Sequence, residues 1–320
     1  MSVNNVIKVN GRPLEKLLGV IRKGLGNDNN NSEIKKEIEF PTNKSDPTST
    51  NFHPDARIQE RLIFKENKRQ QNLDYINYIA AEQLAQEDSV SEEHVDDDWI
   101  NRFFNNAQDI SNEEMQGLWG RILAGEVKRP KSYSLRTLEL LKNLSKNEAQ
   151  TFMKFASLAI NANGVSFILN FKGEKLLENE YNLNFSDRLL LEELGFLTAN
   201  DLEFKILANK DQRSQIYFVI GNTIVSLEKP ANQPEQKLPV LVFTKIGQEL
   251  LELINATPKL DYIQLLASKI RKDGYSIKYA FILKRHLDGT VNHTPFFDVP
   301  LTEAEQKAKT DKVEMKKKNN

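Results

Sequence analysis

The feature that most constrains this chain is a change of period at Asn163-Gly164. Before it, apolar residues recur at spacings of three and four, the repeat of a helix with one buried face. After it they fall into short runs such as VSFILNF, EFKIL, QIYFVIGNTIVSLE and LPVLVF, separated by turn residues, which is strand grammar. A chain that obeys both rules in sequence is an α+β protein. The pattern predicts an all-α helical domain followed by a smaller mixed α/β domain. In the latter, a helix ending in LGFL, a hairpin turning at Gly221-Asn222 and a further strand-helix element follow a winged-helix-like order. At 320 residues the chain exceeds one compact core, so several parts are expected. They are an amphipathic N-terminal helix (1–26), a linker rich in Asn, Ser, Thr and Pro (27–54), a helical domain (55–162), the mixed domain (163–300) and a charged disordered tail (301–320).

Within the helical domain, residues 55–86 lack Pro and Gly and predict a helix about 45 Å long. Its middle, Lys65 to Gln71, is polar all round, so it must project into solvent or lie on another chain. Leu73, Ile76, Ile79 and Leu84 form the stripe best placed for self-association.

The stretch from Asp96 to Glu126 follows. Asp96, Asp97 and Asp98 precede Trp99, Ile100, Phe103 and Phe104, so the acids sit at the first turn of a helix, where the macrodipole and unpaired N–H groups favour negative charge. A divalent-metal or general-base cluster is the alternative reading, without a calcium loop or phosphate loop beside it. Ser111 with Glu114 reads as a capping box for the next helix, which buries Met115, Leu118, Trp119, Ile122 and Leu123 and ends at Gly125. Gly117, Gly120 and Ala124 on its other rows imply a close neighbouring backbone, because a helix-interior glycine costs about 1 kcal/mol relative to alanine. Arg121 either satisfies Asp109 or Glu113 or faces solvent. Trp99, Phe103, Trp119 and Leu123 are core residues in this reading.

The segment QQNLDYINYIAAEQL, then VDDDWINRFFNNAQDISNEEMQGLWGRILAGEVKRPKSYSLRTLELLKNLSKNEAQTF, resembles the signature block of the bacterial DUF2806 family. The resemblance is dense over residues 55–165 and continues through LLLEELGFL and FTKIGQELLELI. It implies no reaction, since that family is defined by sequence. The succession of acids, LWGRILAGE and a short helix leading to LSKNEA is also similar to the helical core of Abi-alpha proteins, which are associated with abortive phage infection.

Composition narrows function. With no cysteine there is no disulfide, thiolate nucleophile or Cys-ligated zinc, and a reducing cytoplasm is expected. The four histidines, His53, His94, His286 and His293, form no paired-ligand motif, and no nucleophile-elbow or phosphate-loop motif occurs. No catalytic, metal or cofactor-binding residue is assigned, and no cofactor is expected, although a carboxylate-only enzyme site stays open. A formal net charge of -1 argues against a surface wholly built for nucleic acid. A local patch of Lys269, Arg271, Lys272, Lys278, Lys284 and Arg285, with Tyr275, Tyr279 and Phe281 interleaved, is the nucleic-acid alternative; lysines guarding an edge strand are the favoured explanation of the same run. No apolar run is long enough to span a bilayer, but residues 14–24 offer weak membrane-surface or partner contact. The expectation is a non-enzymatic interaction or regulatory protein that packs helices with itself or a protein partner, within a phage-defence or mobile-element system.

Overall fold

The computed structural model describes residues 7–8, 11–25, 37–38, 54–206, 214–232, 236–254, 256–271, 274–286 and 289–318. The expected linker lies outside these residues except for Glu37, Ile38 and Pro54, as does Lys272 of the basic patch. The chain divides into two units, Met1–Lys146 and Asn147–Asn320.

Among its described residues the first unit is helical apart from an antiparallel pair of two-residue strands, β1 (Ile7–Lys8) and β2 (Glu37–Ile38). Helix α1 (Arg12–Gly24) carries Pro13 in its first turn, where the missing N–H costs nothing. Its apolar face buries Leu14, Leu17 and Val20 within the unit, where α1 packs on α2 (Pro54–Leu84), α3 (Asp97–Ala107) and α4 (Glu113–Lys128). That corrects the membrane-surface reading of residues 14–24: the face it needs is already covered. Helix α5 (Leu135–Asn143) is capped by Ser134 and closes the unit. Helix α4 is capped by Asn112, whose side chain accepts the Met115 N–H, rather than by Ser111. It also continues three residues beyond Gly125, because that glycine leaves room for the Tyr133 ring instead of ending the helix.

The second unit begins one element earlier than the change of period. Helix α6 (Lys146–Ala156) lies almost wholly in it, for Phe152 packs tilted on Phe196 at 4.6 Å and Phe155 meets Phe171 edge-on at 5.9 Å. Then come β3 (Ile160–Ala162), β4 (Val165–Leu169), a π-helical turn (Leu176–Glu180), α7 (Phe185–Glu193), β5 (Leu202–Ile206), β6 (Ser214–Ile220), β7 (Thr223–Lys229), β8 (Gln236–Val242), α8 (Lys245–Leu251), α9 (Leu260–Arg271), β9 (Ser276–Arg285), β10 (Val291–His293), β11 (Phe297–Asp298) and α10 (Glu303–Lys318). The strands make one antiparallel nine-stranded sheet in the order β10-β9-β7-β6-β3-β4-β8-β5, with β11 also on β9. The protein is therefore α+β.

Three expectations change here. The Gly221-Asn222 hairpin is present, but β6 and β7 lie inside the large sheet, flanked by β3 and β9, rather than projecting as a wing. The sheet unit is the longer of the two, not the smaller. The tail contains helix α10, started by Thr302 and Glu305 and held by the Arg271–Glu305 ion pair at 3.0 Å.

Candidate interaction surface

Helix α2 has two halves with opposite environments. Its C-terminal half is anchored: Leu73, Ile76, Ala80, Ala81 and Leu84 are buried, chiefly against α4. The contact is close because α4 presents Gly120, where a Cβ would stand 2.6 Å from Ile79 Cγ2 and 2.9 Å from the Ile76 carbonyl oxygen. This is the close approach expected of Gly120; a Cβ at Gly117 would meet nothing within 4 Å, so that glycine is not explained by a neighbouring backbone. A polar clasp ties α2 to α4 and to the end of α3, with the Asn72 amide donating to the Gln108 carbonyl at 2.8 Å and the Gln116 amide donating to Asn72 Oδ1 at 2.9 Å. Leu73, Ile76 and Leu84 are thus committed to the interior, and Ile79 faces Gly120. The self-association surface placed on them is corrected, because their stripe is the seam between α2 and α4.

Among the described residues the N-terminal half has no such cover. Every residue from Arg57 to Lys68 is exposed, about 18 Å of helix. Among them are Ile58 at 49%, Leu62 at 52%, Ile63 at 61% and Phe64 at 68% exposure. Helical spacing puts Ile58 and Leu62 on one side, with Ile63 and Phe64 turned away from it in different directions. Arg57, Arg61, Lys65 and Lys68 share a further side, and Glu60 and Glu66 are the acids of this stretch. At its base Arg69 is fixed by Asp109 at 2.9 Å and Glu66 at 2.9 Å, and a hollow of about 220 Å³ opens there between Leu25, Arg69, Leu73 and Phe104.

The aspartate triplet does what helix starts require. Asp96 Oδ1 accepts the Trp99 N–H at 2.9 Å, Asp97 pairs with Lys23 at 2.8 Å, and the acids border an open hollow with His94 and Lys131. Among the described residues no cluster of His, Asp and Glu has metal-binding geometry. Trp99, Phe103, Trp119 and Leu123 are buried, with ring separations of 5.0 Å for Trp99–Phe103 and 5.2 Å for Phe103–Trp119. Arg121 is half-buried and does not meet Asp109, which Arg69 holds: burial lowers its pKa, and its Nε is buried without a hydrogen-bond partner.

The basic patch is not one surface. Lys269 pairs with Glu174, and Arg271 is spent on Glu305 and the carbonyls of Val299 and Pro300, so both act as internal fasteners. Lys278 makes a loose contact with Asp298 at 3.9 Å, Lys284 is exposed on β9, and Arg285 donates to the Gly221 carbonyl at 2.6 Å. Sequence periodicity missed Glu126, a fully buried carboxylate that accepts the N–H groups of Lys131 at 2.6 Å and Tyr133 at 3.0 Å. Nothing local signals it, for the partner amides arrive only when the chain doubles back.

The geometry defines a class first: an α+β protein in which a helical unit with a half-uncovered helix precedes a unit built on an antiparallel sheet. The sequence profile of the family described as protein of unknown function (DUF2806) matches residues 56–267, more than half of the chain, and the protein belongs to that family. No curated protein and no solved structure matches the chain. Among the described residues no helix is long and apolar enough to cross a membrane.

Proposed function

We propose that this is a non-enzymatic interaction protein that recognises a protein partner by helix packing, and that the N-terminal half of α2 is the element it presents. One observation carries the reading: four large apolar side chains between Ile58 and Phe64 stand 49% to 68% exposed on a helix whose other half buries its apolar stripe against α4. An uncovered helical segment of this length is marginal by itself, and apolar groups displayed together on it gain free energy only when something covers them. Because these side chains point in several directions, a groove that encloses the helix covers them better than a flat face. Cations outnumber acids along the segment, so two such segments repel side by side, which favours a different, acidic partner surface. The resemblance of the helical core to Abi-alpha proteins suggests phage defence or a mobile element as the setting.

The test is site-specific photocrosslinking in the producing cell. A photoreactive aromatic residue in place of Phe64 is expected to give a discrete heavier adduct that disappears when Leu62→Glu is added. The same group at Met153, also exposed but on α6, is expected to give none. No adduct from position 64, or identical adducts from both positions, rejects the reading; an adduct of twice the chain mass replaces the partner with a second copy.

A further inference from the structure

Independently of α2, the second unit carries a row of rings on one face of its sheet. Tyr217 of β6, Phe296 from the bend between β10 and β11, and His293 of β10 lie in sequence, with centroids 6.4 Å and 4.9 Å apart. Tyr217 is 48% exposed and His293 is exposed, so the row ends in solvent on both sides. Residues directly opposite in an antiparallel ladder share a face. The register Tyr217–Ser226–Lys278–Asp298 therefore sets Lys278 on the tyrosine's face two strands away, across Ser226, and Lys284, opposite Asn292, lies on that face at the histidine end. The two lysines are six residues apart on β9, about 20 Å. The ring row runs between them, while Ala280 and Ile224 beneath are buried.

We propose that this face binds single-stranded nucleic acid, with two or three bases stacked on Tyr217, Phe296 and His293 and the phosphates drawn to Lys278 and Lys284. The ring surfaces accept any base, since each has a π-face, and an aromatic platform on an antiparallel sheet matches bases that are splayed out of a duplex. The same alternation puts Arg285 on the opposite face and leaves Lys278 and Lys284 here with two acids, Asp298 opposite Lys278 and Glu228 opposite Ser276. The 3.9 Å contact of Lys278 with Asp298, both well exposed, is one a phosphate readily displaces. The site differs from the patch read along the sequence: Lys269 and Arg271 are excluded by their ion pairs, and the rings, far apart in the chain, are supplied by the fold.

Fluorescence anisotropy with a labelled oligothymidylate about 15 nucleotides long tests it on the full chain. Binding is expected to weaken as salt rises, to fall on the order of ten-fold in Tyr217→Ala and in Phe296→Ala, and to persist in Tyr217→Phe. A duplex of the same length is expected to bind more weakly. Tyr217 is half in solvent, so its variant keeps the proposal decidable if Phe296→Ala unfolds. Absence of binding by the wild-type chain overturns the proposal. So does wild-type affinity in a folded Tyr217→Ala, equal duplex binding that ignores the rings, or binding of a proline-rich peptide without the oligonucleotide.

Discussion

Trp119 and Trp99 look alike in the sequence and differ in what they satisfy. Trp99 donates its indole N–H to the Tyr133 carbonyl at 2.8 Å, whereas Trp119, fully buried, has no partner for its own. Trp119 therefore contributes by volume alone, and Trp119→Ala is expected to destabilise the helical unit by about 3 to 5 kcal/mol in denaturant unfolding. An unchanged midpoint would place the ring outside the core. Glu126 is the opposite case, a charge whose worth lies in its bonds. It holds the turn that carries Lys131 at φ 69, a left-handed conformation that a lysine rarely adopts. Glu126→Gln turns an amide NH2 toward one of those N–H groups, and a loss on the order of 1 to 3 kcal/mol is expected by the same measurement. The Asp96 cap was legible because donor and acceptor are three residues apart. Glu126 was not, because its role depends on a fold-back that no short-range pattern encodes.

At the scale of elements, period and turn residues located most helices and strands, and tertiary packing decided the rest. Gly125 reads as a stop signal and is a packing notch; Ser111 reads as a cap and is displaced by Asn112. Strand order lay beyond the sequence, since the chain leaving β7 must pass β6, β3 and β4 before β8 sits between β4 and β5. Helix α10 was hidden by its charge, for it carries almost no apolar stripe and is fixed at its start by Arg271 and Thr302. Burial raises the Glu305 pKa, but the Thr302 bonds and the Arg271 charge outweigh it and hold the carboxyl below its usual range. A depressed carboxylate contributes stability that is present above the unfolded value, about 4.3, and is lost as pH falls through the folded one. Acidification below about pH 4 is thus expected to release the start of α10 before the sheet unfolds, seen as early amide exchange at Glu305 and Gln306. Glu305→Gln should show that exchange already at neutral pH, and a pH-independent exchange rate would remove Glu305 as the fastener.

At the scale of the molecule, the change of period at Asn163-Gly164 announced an α+β chain and misplaced the boundary by one helix. Helical spacing says that Phe152 and Phe155 are buried, but not that the phenylalanines receiving them belong to the sheet unit. The candidate surface was half legible in the same way. The polar middle of α2 foretold projection, yet its best-spaced apolar stripe, Leu73 to Leu84, was consumed by α4, and the irregular set Ile58, Leu62, Ile63 and Phe64 was left outside. The central claim is that the fold leaves this half of α2 uncovered for a partner. Residue-resolved hydrogen exchange on the purified, dilute protein tests it most directly. Amides from Arg61 to Lys68 are predicted to exchange far faster than those from Leu73 to Leu84, as a helix without tertiary cover must. Equal, strong protection along the whole helix would contradict it.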